Sequence, residues 1–151
     1  MNYEPYELLI TEQDKRFSFQ SIGKKGIVEK AILFSPEQED MFNLALVDVN
    51  LKTGEENDKS KTGNGDLPRI MATSMKVILL FLDKHPDKMI SFKGNSEERK
   101  KLYQIYVNKF YPFIRHELTI LGERNQHWQE FEENAQFERF IIAKKELNLV
   151  W

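Results

Sequence analysis

Cysteine is missing from this 151-residue sequence. Its absence excludes disulfides, thiol catalysis and cysteine-ligated zinc. Net charge is also small: 22 basic side chains stand against 24 acidic ones, a balance of −2. A dedicated nucleic-acid binder carries a clear basic excess, so only a local patch and no DNA-binding motif is open to this chain. Long apolar runs are lacking too. The longest, Val77 to Leu82, falls far short of the ~20 residues that span a bilayer. The start, Met1-Asn2-Tyr3-Glu4-Pro5, has neither the basic residues nor the apolar stretch of a signal peptide. These absences describe a soluble, cytoplasmic protein with no membrane partner. His85, His116 and His127 are far apart and none has metal-ligand spacing, so neither metal nor cofactor is expected. What is present is aromatic: eleven Phe, five Tyr and two Trp, too many for a disordered chain.

The first third reads as strands. Tyr6 to Thr11 is a short candidate. Arg16 to Ile22 alternates strictly, with Phe17, Phe19 and Ser21 on one face and Ser18, Gln20 and Ile22 on the other. Gly23-Lys24-Lys25-Gly26 has the spacing of a hairpin loop. The return strand runs from Ile27 to Phe34 and is expected to stop at Ser35-Pro36, where proline removes a ladder donor. Met41 to Val49 is almost continuously apolar, the pattern of a central strand buried on both faces. Together these segments predict a four-stranded antiparallel meander. Asn50 to Asp66, rich in glycine and mixed charge, is expected to be a long flexible loop that orders on binding.

The period then changes. Asp66 is placed to cap a helix with Pro68 in its first turn. Ile70, Ser74, Val77, Ile78 and Phe81 share one face of it, and His85-Pro86 ends it. Lys88 to Lys93 reads as a strand closed by Gly94. Asn95 or Ser96 caps a second helix carrying Leu102, Ile105, Tyr106, Val107 and Phe110, with Pro112 just beyond it. Glu117 to Leu121 and Phe137 to Lys144 are the last strands. The intervening acidic segment, with Trp128 and Phe131 three apart, reads as a short helix. The order β-β-β-β-α-β-α-β-β predicts a single α+β domain over 1–151, a meander followed by β-α-β-α-β-β with helices packed on a mixed sheet.

Two sets of residues attract functional readings. The first is a polar cleft formed by Asn43, Asn64, Asp66, Arg99, Tyr103 and Tyr106. The bland alternative is an Asn-Gly turn feeding an Asp-capped helix. The second is a basic patch of Lys93, Arg99, Lys100, Lys101 and Lys109. Arg99, Tyr103 and Tyr106 lie three or four apart on the helix, so a guanidinium and two phenols share a stripe suited to phosphate or single-stranded RNA.

Asn43-Leu44-Ala45, Gly63-Asn64-Gly65-Asp66, Ala72-Thr73 and Gly94-Asn95-Ser96 with Arg99, Leu102 and Tyr103 resemble the signature of a domain-of-unknown-function family common in Bacteroidota. That resemblance implies that Asn43, Asn64, Asp66, Gly94, Arg99 and Tyr103 matter, without assigning an activity. Lys61 to Gly65 before one helix, and Asn95 before Leu102-Tyr103, also look like the GNAT acyltransferases, where a glycine turn holds the acetyl-CoA pyrophosphate and a tyrosine is the general acid. Here the turn begins with Lys61, and Asp66 sets a carboxylate beside it. The leading expectation is a non-enzymatic interaction module with a protein partner or a second copy. An RNA-directed toxin-like protein of a bacterial accessory gene pair is the alternative, and a degenerate acyltransferase the third.

Overall fold

Short alternating segments joined by turn residues can only close their ladders side by side, and the first four strands do so. The computed structural model describes residues 3–58, 63–147 and 149. Its strands and helices are β1 (Leu9–Thr11), β2 (Arg16–Gly23), β3 (Gly26–Gln38), β4 (Met41–Val49), β5 (Glu56–Asn57), α1 (Leu67–Lys84), β6 (Met89–Phe92), α2 (Glu97–Ile114), β7 (Leu118–Arg124), β8 (His127–Glu130) and β9 (Arg139–Lys144). The hydrogen-bonded order is β1-β2-β3-β4-β6-β9-β7-β8, with β5 beside β4. β4 and β6 run parallel, whereas β1–β2, β2–β3, β6–β9 and β7–β9 are antiparallel. The fold is α+β with a mixed sheet, as the pattern predicts. The chain divides into two compact units, Met1–Ser35 with Leu44–Phe81, and Pro36–Asn43 with Leu82–Trp151.

In the first unit, Phe17, Phe19 and Ser21 are buried on one face of β2 while Gln20 and Ile22 are exposed on the other. The β2–β3 hairpin closes at Gly23↔Gly26. Gly26 has φ +87°, a left-handed backbone that only glycine adopts without strain. α1 brings Ile70, Met75, Val77, Ile78 and Phe81 into this core, and Phe81 stacks on Phe34 at 4.0 Å. Lys30, 5% exposed, is held by an ion pair to Asp48.

The second unit is built round an aromatic cluster. Phe140 of β9 stacks on Phe92 of β6 at 5.3 Å, and Phe131 and Phe137 close in from the segment before β9. Gly122 of β7 has no side chain because the ring of Phe137 lies there: a Cβ would stand 2.3 Å from Phe137 Cδ1. α2 covers the cluster through Tyr103, 5.8 Å from Phe92. Gln104 ties down the approach to β9, donating to Ala135 O at 2.7 Å and accepting from Phe137 N at 2.9 Å.

Four sequence expectations need correction. β3 does not stop at Ser35-Pro36 but runs on to Gln38. Phe34 N donates to Lys15 O, so Pro36, two residues on, turns its nitrogen to the same edge, beyond the last β2 pair, Arg16↔Leu33. No ladder bond is lost there. Pro112 lies inside α2, which continues to Ile114. The segment around Trp128 is a strand, β8, joined to β7 by Asn125 and Gln126 at φ 52° and 64°. Both residues take the left-handed conformation of a hairpin turn. The 50–66 stretch is not without structure, since Asn57 pairs with Asp48; residues 59–62 of it lie outside the described residues. Of the two caps expected for the second helix, Ser96 is the one used: its Oγ accepts from Arg99 N.

A groove beside the open edge of β2

β1 pairs with β2 for three residues, Leu9↔Ser18 to Thr11↔Arg16. Continued backwards, the register would set Glu7 opposite Gln20. The chain leaves that register because Tyr6 turns into the core. Tyr6 is 4% exposed. Its ring stacks on Phe19 at 5.7 Å, its N–H donates to Thr73 Oγ1 at 2.9 Å, and the Arg69 guanidinium lies 3.9 Å from the ring centroid. Thr73 can serve because its own hydroxyl donates back to Arg69 O one turn earlier.

The Tyr6 hydroxyl sets the far limit of the gap. It donates to Asp66 Oδ2 at 2.6 Å and accepts from Ile22 N at 3.0 Å. Burial and this bond to the Asp66 carboxylate both raise the phenol above its ordinary value of 10.0. Backbone groups alternate sides along a strand, so Gln20 turns its N–H and C=O to the same edge as Ile22. Nothing among the described residues pairs with them. The result is a groove of about 510 Å³ lined by Tyr6, Glu7, Leu9, Gln20, Ile22 and Arg69, with Glu29 across from Gln20.

Asn64 and Asp66 stand behind this groove. Asn64, 3% exposed, donates to Ser21 Oγ at 3.0 Å and Gly26 O at 3.1 Å, and accepts from Lys25 N at 2.6 Å. Its carbonyl accepts from Lys24 N at 3.0 Å. Gly23 must lack a side chain for this, since a Cβ would lie 1.9 Å from Asn64 O. Ser21 in turn donates to Asp66 Oδ2 at 2.6 Å. Asp66 precedes α1 and its carbonyl opens the helix by accepting from Ile70 N. Its carboxylate serves Tyr6 and Ser21, while Oδ1 is buried and meets no donor among the described residues. Asn64 and Asp66 are therefore joined through Ser21 into one buried network that fixes the hairpin and Tyr6.

The other expected site residues belong to the second unit. Asn43 is the parallel partner of Ser91, whose buried hydroxyl donates to Glu37, itself ion-paired with Arg139. Tyr103 packs on Phe92, and Tyr106 is buried under Lys109, 5.0 Å from its ring. In the basic patch, Lys100 bridges Glu138 at 3.2 Å and Glu97 at 3.3 Å, and these two carboxylates, Glu138 foremost, raise its pKa. Lys93 and Lys101 are exposed. Sequence reasoning missed Tyr6, Ser21, Gln20 and Arg69. The one available signal was Tyr6 next to Pro5, at the start of an otherwise ordinary strand candidate.

Fold and site together define an α+β protein of mixed sheet with a groove at an open strand edge. The chain belongs to DUF6934, a family of unknown function whose model matches residues 2–145. No curated protein and no solved structure matches it. Among the described residues no helix is long and apolar enough to cross a membrane.

Tyr6→Phe is expected to cost about 1–3 kcal/mol, because Ile22 N–H and Asp66 lose a buried partner. It should also change the alkaline limb. A phenol whose pKa is raised on folding stabilises fully below the unfolded value of 10.0 and loses that contribution as pH rises through the folded value. Urea melts from pH 9 upward (the unfolded phenol titrating near ~10) should therefore fall more steeply for the parent than for Tyr6→Phe.

Proposed function

We propose that this chain is a non-enzymatic binding module that takes an extended, basic segment of a partner protein along the outer edge of β2. The observation that carries the reading is the unpaired N–H and C=O of Gln20 in a groove of about 510 Å³. Ser18 is already paired with Leu9 and Ile22 N–H with the Tyr6 hydroxyl, so one residue of an extended segment entering the gap would satisfy both groups, strand addition confined to a single residue. Side-chain selection follows from the rim. Leu9 and Ile22 are 65% and 55% exposed and offer apolar contact. Glu7 and Glu29 have no cation partner among the described residues, and the one guanidinium, Arg69, is already committed to Tyr6 and Glu4 O. Lysine or arginine alternating with apolar residues fits that rim.

Less supports the alternatives. The RNA-directed reading rests on Arg99 to Lys101, where Lys100 is already neutralised by two carboxylates. The acyltransferase reading needs the turn before α1 as a phosphate cradle; Asn64 of that turn is spent on the hairpin and Asp66 is a carboxylate beside it, while Lys61 and Thr62 lie outside the described residues. The test is fluorescence anisotropy with a labelled peptide of alternating lysine and valine. It should bind saturably, and Glu7→Lys with Glu29→Lys should weaken it at least ~10-fold, about 1.4 kcal/mol, without altering the melting temperature. Equal binding of a glutamate–valine peptide would sink the reading.

A further inference from the structure

α2 carries a second surface that its own unit leaves uncovered. Lys101, Ile105, Lys109 and Pro112 are all exposed, and they follow one another at intervals of four, four and three residues. That spacing places them in one file along the helix. Arg115 and Phe113 flank it. Ile105 is 49% and Phe113 66% exposed, the latter an unusual position for a phenylalanine. From Arg99 to His116 the sequence has no Asp or Glu, while Arg99, Lys100, Lys101, Lys109 and Arg115 are basic. Lys101, Lys109 and Arg115 have no ion pair among the described residues.

We infer that this file is a docking face for an acidic, amphipathic helix of a partner protein. Charge complementarity demands an anionic occupant, and the geometry narrows the class. Cations and apolar side chains alternate along a single file about 17 Å long, which a helix laid alongside matches turn for turn with its own three- and four-residue spacing. A membrane surface would call for a broad apolar swath bordered by cations, and here apolar and basic residues are interleaved. Single-stranded RNA would call for a run of aromatic rings open to stacking; here Phe113 is open, but Tyr103 packs on Phe92 and Tyr106 is buried. The face differs from the β2 groove in unit, charge and secondary structure, so it stands whether or not the groove reading holds.

The full chain should be titrated with a labelled synthetic helical peptide bearing leucine on one face and glutamate on its flanks. Vesicles of phosphatidylglycerol with phosphatidylcholine, and polyuridylate, are the comparison probes. Saturable peptide binding is expected, weakening as salt screens the charges. Phe113→Ser and, separately, Lys101→Glu with Lys109→Glu should each weaken it at least ~10-fold. All three positions are exposed, so melting temperatures should stay unchanged, while Glu7→Lys should bind the acidic peptide as the parent does. Failure of the peptide to bind, or binding indifferent to these substitutions, would overturn the inference. So would tighter binding of the vesicles or of polyuridylate than of the peptide.

Discussion

Asn64→Ala is expected to lower stability by about 3–5 kcal/mol, since it leaves the buried Ser21 carbonyl and hydroxyl, and the part-buried Lys25 N–H and Gly26 O, without their partner. For a chain of this size that corresponds to a melting temperature lower by roughly 8–15 °C. Gly23→Ala should produce a comparable loss by a different route. Its Cβ would occupy the space of Asn64 O, 1.9 Å away, so the 3.0 Å bond from Lys24 N must break. Because both substitutions undo one junction between the hairpin and the turn before α1, their effects should not add. A double-mutant cycle in urea should show the pair costing little more than the worse single variant. Full additivity would mean that Asn64 and Gly23 act independently and that the junction is not a unit.

Phe140→Ala should be as costly in the second unit, about 3–5 kcal/mol. Phe140 is 2% exposed and contacts Phe92, Phe131 and Phe137, so truncation leaves a void that three rings cannot fill without leaving their own packing. Phe113→Ser, which removes a larger share of exposed apolar surface, should cost almost nothing. Thermal melts of the two variants side by side check the contrast. A Phe140→Ala protein that melts like the parent would contradict the cluster's role.

Much of the fold was legible because local pattern and tertiary role agree. The strict alternation of Arg16 to Ile22 puts Phe17 and Phe19 inside, the apolar run of Met41 to Val49 becomes a strand between β3 and β6, and His85-Pro86 ends α1 at Lys84. What escaped reading depends on distant partners. Tyr6 leaves its strand because Thr73, Asp66 and Phe19 hold it, and Thr73 lies 67 residues away in sequence. Pro36 remains in a strand because β2 has already ended beside it, a fact of register that no local rule contains. The Trp128–Phe131 pair fits a helix or a strand end equally, and the left-handed Asn125 and Gln126 decide for a hairpin. For the site, Asn64 and Asp66 were recognisable as residues of consequence. Their part is to hold the hairpin and Tyr6, and Gln20 is noticeable only once the neighbouring strand is seen to turn away.

Amide hydrogen exchange along β2, followed by NMR, tests the central claim most directly. In the free protein Phe19 and Ser21, bonded to β3, should exchange slowly, and Gln20 between them should exchange at a rate close to that of a loop. Saturating lysine–valine peptide should protect Gln20 selectively, leaving Phe19 and Ser21 as they were. A Gln20 amide already protected in the free protein, or one that remains fast when the peptide is bound, would contradict the open edge as the binding site.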